Sequence, residues 1–132
     1  MQENISRELT VENIFNTLKF LPFFESINKD FYTLDMRYML DPYVYCNEVN
    51  EFMGTLYKEN IVFSFDWPGW QKEGVKYFND PELLKSADIL TLRKLLTLHL
   101  RKERFCSGHF AEMISSGHIL NILKRLYELS NL

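Results

Sequence analysis

A chain of 132 residues has the length of one domain, and 46% hydrophobic with 25% charged residues excludes disorder and collagen-like repeats. A net charge of −3 leaves no overall nucleic-acid footprint, and no apolar run approaches the roughly 18 residues of a membrane span. The polar start Met1–Glu8 is unlike a secretory signal, so the two cysteines are expected as free thiols in a reducing, cytoplasmic compartment.

In chain order, Thr10 reads as a helix N-cap, with Leu9 and Ile14 placed to staple around it. Val11, Ile14, Phe15, Leu18 and Leu21 repeat at helical spacing until Pro22 interrupts them, and Phe23–Ile27 supplies one more buried turn. Residues 28–40 have no clean period, although Phe31-Tyr32-Thr33-Leu34 is of β type. Asp41 as N-cap and Pro42 as first residue predict the next helix, with Tyr45, Val49, Phe52, Met53 and Leu56 on one face. Ile61–Phe65 is β-prone but has no evident partner, which makes it a buried extended connector.

Residues 69–78 predict a helix with Trp70, Tyr77 and Phe78 inward, closed by Asn79-Asp80-Pro81. Asp88 caps a Leu-rich helix over 89–104 whose wide apolar face marks it as central. Ser107 and Ser116 then open helices over 108–115 and 117–130, the last with Ile119, Ile122, Leu123, Leu126 and Tyr127 on one stripe. The expected fold is all-α, a compact single domain of about six helices over residues 1–132, with one short extended segment near 61–65. Its two parts differ in charge. Residues 1–87 hold 14 acids, 8 bases and most of the aromatics, whereas the Leu-rich 88–132 hold 4 acids and 7 bases. The acidic part is expected to pack on the basic one, with Arg101 or Arg104 paired to its carboxylates.

Four features could carry chemistry. In Phe65-Asp66-Trp67-Pro68-Gly69-Trp70, Asp66 can cap the next helix through the Gly69 N–H, and the two Trp side chains anchor core or wall a ligand pocket. Arg93, Lys94, Thr97, Arg101 and Arg104 make a basic stripe that suits a nucleic-acid face or simple neutralisation. Cys106, His109 and His118 form an incomplete metal set, and His99 fits a core histidine, so no metal or cofactor is expected. Ser107-Gly108-His109 and Ser116-Gly117-His118 suit helix starts, which either cap themselves or attract anions.

Phe65-Asp66-Trp67-x-x-Trp70, then Arg101-x-Glu103-Arg104-Phe105-x-x-Gly108-His109, then Gly117 and Leu126, resembles a bacterial and phage family of small proteins known only as a domain of unknown function. The resemblance covers roughly residues 60–130 and implies a cytosolic protein, with no catalytic residue to carry over. Asp66, Trp67, Trp70, Arg101, Arg104, Gly108 and His109 are the expected site, facing one shared depression. No phosphate-binding glycine loop, H-E-x-x-H or G-x-S-x-G motif is present. The expected function is therefore a non-catalytic interaction or binding module, for a protein or small-molecule partner and open to homo-oligomerisation. DNA binding through 89–130 is the alternative, and an enzyme of unrecognised class the third reading.

Overall fold

The computed structural model describes residues 9–27 and 30–130; the polar segment Met1–Glu8 lies outside them. Thr10 opens helix α1 (Val11–Leu18) with a reciprocal cap: its hydroxyl accepts from the Asn13 N–H at 3.0 Å, and the Asn13 side chain accepts from the Thr10 N–H at 2.9 Å. Pro22 falls in the first turn of α2 (Leu21–Glu25), where its missing N–H costs nothing, and Phe24 is buried as the extra turn required.

The next segment departs from expectation. Asp41 and Pro42 do not start a helix. The Pro42 carbonyl accepts from the Asp35 N–H at 2.8 Å and closes an antiparallel hairpin of β1 (Tyr32–Leu34) and β2 (Tyr43–Tyr45), with Tyr32 opposite Tyr45 and Thr33 opposite Val44. The alternation Tyr43-Val44-Tyr45 puts both tyrosines on the face shared with Tyr32 and leaves Val44 exposed, a period-2 pattern that outweighs the Asp-Pro helix signal. Cys46 then becomes the N-cap of α3 (Asn47–Lys58), which buries Val49, Phe52 and Leu56.

Residues 61–65 are a connector without strand partners, as expected, and bury Ile61, Val62 and Phe63. Helix α4 (Trp67–Gly74) starts two residues earlier than predicted, because the Asp66 carboxylate accepts from the Gly69 N–H at 3.1 Å, and it runs on into a 3-10 turn, Val75–Tyr77. Asp80 caps a short extra helix, α5 (Pro81–Leu84), and Asp88 caps α6 (Ile89–Glu103) by accepting from the Thr91 N–H at 2.8 Å. Then come α7 (His109–Ser115) and α8 (His118–Ser130).

Neither serine caps its helix. Ser107 donates to Asp41 at 2.7 Å across to the hairpin, and Ser116 donates back to the Met113 carbonyl at 3.3 Å. The sharp entries are made instead by Gly108 and Gly117, with φ of 93° and 84°.

The fold is thus predominantly helical, with the hairpin as its one small sheet among the described residues. Among the described residues, six helices reach seven residues or more, and two others are single turns. Helix α6 is the central element, packed on α4, α7 and α8, while α8 also meets α1, α2 and α5. Leu95, Leu98, Ile122 and Leu123 are fully buried where these helices meet, each worth roughly 1.5–3 kcal/mol of transfer free energy. No helix among the described residues is long and apolar enough to cross a membrane.

A Cβ on Gly108 would lie 2.5 Å from the Tyr43 ring, at a positive φ besides, whereas one on Gly54 within α3 would meet nothing within 4 Å. Gly108→Ala should therefore lower stability by about 1–3 kcal/mol, and Gly54→Ala should raise it by about 0.5–1 kcal/mol, both read from urea unfolding.

Candidate functional site

Three elements meet at the joint between α6 and α7, and one carboxylate ties them. Glu103, half-buried at the end of α6, accepts from the Phe110 N–H at 2.7 Å, the Gly108 N–H at 3.2 Å and the Tyr45 hydroxyl at 3.1 Å. The Tyr45 hydroxyl in turn accepts from the Ala111 N–H at 3.1 Å. The orphan N–H groups at the start of α7 are thereby filled from within the chain, so the anion-attracting helix start that Gly108-His109 suggests is already occupied. Burial, and then the Glu103 charge, push the Tyr45 phenol far above its ordinary range, so it stays a neutral donor.

Behind this joint sits a cluster of histidines. His99 from α6, His109 from α7 and His118 from α8 converge on the Phe78 ring, with centroids 5.0, 5.9 and 5.4 Å from it. His99 Nδ1 and His109 Nε2 share a hydrogen bond of 2.9 Å, while the Nε2 atoms of His99 and His118 are buried without a partner. Burial is the main reason all three are held neutral: His109 and His118 are lowered to about 4 and His99 well below its ordinary value. Cys106 is exposed, whereas His109 and His118 are buried. No three or more His, Cys, Asp or Glu among the described residues are arranged to hold a metal ion.

The basic stripe meets aromatic rings and backbone carbonyls. Arg93 is buried, donates to the carbonyls of Asn60 at 2.9 Å and Ile61 at 3.1 Å, and lies 4.6 Å from the Phe63 centroid. Lys94 sits 5.7 Å from both the Phe65 and Trp70 rings. Arg101 stacks over Tyr57 at 5.6 Å, and Arg104 donates to the Tyr57 hydroxyl at 3.2 Å. Neither Arg101 nor Arg104 makes an ion pair among the described residues, which corrects the expected pairing with residues 1–87. Three acids are spent locally, Asp35 on Arg37, Glu73 on Lys76 and Glu82 on Lys85, while Glu59 reaches across to Asn13 and Asn16 of α1.

The expected cluster is brought together only in part. Trp67 meets Phe105, the residue after Arg104, with ring centroids 6.1 Å apart, and Trp70 packs on Phe65 at 6.0 Å. Asp66 is exposed and bonds to Gly69, not to Arg104 or to an N–H near Gly108. Gly108 and His109 instead line a cavity of about 470 Å³ on the other side of the joint, together with Tyr32, Tyr43, Lys102 and Ser107. None of Asp66, Trp67, Trp70, Arg101 or Arg104 borders it. Tyr32, Tyr43 and Lys102 are not among the residues the sequence marks, and Glu103 enters there only within the Arg101–His109 motif, although the Tyr43-x-Tyr45 alternation is a signal.

The model of a family of unknown function, DUF6508, matches residues 9–131. The chain belongs to that family. No curated protein and no solved structure matches it. The DUF6508 match extends the resemblance beyond residues 60–130 to the hairpin and the helices before it. In this DUF6508 chain the quoted Arg101–His109 motif is the α6–α7 joint itself, with Glu103 as the tie, Gly108 as the left-handed entry and His109 as a core histidine.

Two outcomes follow from this geometry. Glu103→Ala strands one hydroxyl and two N–H groups at once and should cost on the order of 3 kcal/mol, while Glu112→Ala on the exposed side of α7 should stay within about 0.5 kcal/mol. The histidines set the pH response. Their folded pKa values lie below the roughly 6.5 of the unfolded chain, so unfolding takes up protons in that interval. Stability is complete above about pH 6.5 and falls as pH drops toward about 4. The thermal midpoint should be lower at about pH 5 than at about pH 7.5, an interval above most carboxylate titration.

Proposed function

We propose that the protein is a non-catalytic interaction module whose docking element is the β1–β2 hairpin and whose partner is a second copy of the chain. The observation that carries this reading is the hairpin tip. Leu34, Met36, Tyr38, Met39 and Leu40 are all exposed there, Leu40 to 97% and Met39 to 74%. A run of large apolar side chains in water marks an interaction surface rather than ordinary surface scatter.

The tip is also held in shape. Backbone bonds run from the Tyr38 N–H to Asp35 at 3.1 Å and from the Asp41 N–H to Tyr38 at 2.9 Å. Arg37 grips the Asp35 carboxylate with two donors, at 3.0 and 2.7 Å. Ser107 anchors Asp41, and Tyr45 anchors the strand to Glu103. An ordered apolar surface loses little entropy on docking. Asp35 and Arg37 pair with each other, and the one further charge of the tip, Asp41, is held at its base by Ser107, so two copies can face each other around a two-fold axis through the apolar side chains.

The DNA-binding alternative is weakened because Arg93, Lys94 and Arg101 lie on rings of the chain itself and Arg104 donates to the Tyr57 hydroxyl. A cytoplasmic setting belongs to this reading, supported by Cys46 and Cys106 being free thiols, and the motif resemblance implies a bacterial or phage one.

Sedimentation of the full chain between about 1 and 100 μM, across the usual range of weak self-association, should show a concentration-dependent dimer. The double variant Met39→Asp, Leu40→Asp should be monomeric with an unchanged thermal midpoint, since both side chains are exposed. A wild-type chain that is monomeric throughout, or a double variant that still dimerises, overturns the proposal.

A further inference from the structure

The cavity between the hairpin and the α6–α7 joint is independent of the apolar tip and has its own chemistry. Its volume of about 470 Å³ is within the usual range for small-molecule sites. Tyr32 and Tyr43 form one wall, their rings 5.0 Å apart and tilted by 33°, and neither phenol has a hydrogen-bond partner among the described residues. Gly108 and Ala111 keep the floor low.

Its charges are unspent and opposite. Lys102 from α6 and Glu112 from α7 both line the cavity, and neither makes an ion pair among the described residues. The other anion-binding groups are already committed: the Gly108 N–H to Glu103 and the Ser107 hydroxyl to Asp41. A simple anion therefore finds one cation with a carboxylate opposing it, which is a poor site. His109 adds no positive charge, being neutral at ordinary pH. Its Nε2 is taken by His99 Nδ1, so Nδ1 is the ring nitrogen left for a ligand.

We propose that this cavity binds a small aromatic zwitterion of the amino-acid class. The carboxylate would sit on Lys102, the ammonium on Glu112 and over the tyrosine faces, and the ring against Tyr32 and Tyr43. His109 contributes a neutral hydrogen-bonding edge whose orientation His99 fixes.

The test uses the full chain with four probes in calorimetry and amide NMR: L-phenylalanine, phenylacetate, phenethylamine and inorganic phosphate. Phenylalanine should bind at least about tenfold tighter than either single-charge analogue, with shifts centred on Gly108–Ala111, and phosphate should not bind. Lys102→Met should weaken phenylalanine by about tenfold while leaving phenethylamine unchanged, and Glu112→Gln should do the same while sparing phenylacetate. Both side chains are outside the core, and an unchanged melt verifies that each variant folds. The Cys106 thiol on the cavity wall gives a second readout, since bound phenylalanine should slow its reaction with a thiol reagent. Absence of shifts with phenylalanine, phenylacetate binding as tightly as phenylalanine, or phosphate competing for the site overturns the proposal.

Discussion

The α6–α7 joint depends on one carboxylate, at the end of α6, that matches donors which a helix start and a strand tyrosine would otherwise leave without partners. Glu103 accepts the Phe110 and Gly108 N–H groups and the Tyr45 hydroxyl, and that hydroxyl takes the Ala111 N–H. Buried donors without partners cost more than a bond between matched groups returns, so this arrangement is all-or-none. It fixes the sharp turn that sends α7 back along α6. That turn brings His109 onto His99 and sets the Tyr43 ring against Gly108, so both the histidine cluster and the cavity inherit their geometry from it.

The meeting of the acidic, aromatic part with the basic, helical part follows a different rule from the one that net charge suggests. Cations of α6 are met by the rings of Tyr57, Phe63, Phe65 and Trp70 and by the carbonyls of Asn60 and Ile61. A guanidinium stacks on an aromatic face while keeping its edge donors free for carbonyls, which is how Arg93 meets both the Phe63 ring and the carbonyls of Asn60 and Ile61. The carboxylates of Glu73 and Glu82 remain on the surface with lysine partners a turn away, where each pair is worth little.

The contrast within the hairpin gives it its functional weight. Its inner face is committed through Tyr45, Tyr43 and Tyr32, while its tip exposes methionine, leucine and tyrosine on a rigid frame. An element so firmly fastened at one end and so apolar at the other is suited to reach outward. The cavity on its inner side is polar and carries opposed charges, so the two faces of the hairpin differ in chemistry as the two proposals require.

Local rules alone were enough for the caps at Thr10, Asp66 and Asp88, the central place of α6, the apolar stripe of α8 and the unpaired connector at 61–65. Each of these rests on residues within about a turn of one another, and such signals survive in a linear sequence. The hairpin, the Glu103 tie, the convergence of His99, His109 and His118, and the stacking of Arg101 over Tyr57 were decided only by tertiary structure. Asp41-Pro42 would serve a helix start as well as a turn, and the choice fell to Asp35 and Ser107, 6 and 66 residues away from Asp41 in the chain. Residues 101–109 could be marked as unusual from their composition, but their partners lie on another stretch of chain: Tyr45 is 58 residues from Glu103. Spacing along a sequence encodes what a residue does to its own helix, and only the packed chain determines which distant hydroxyl, ring or carbonyl completes it.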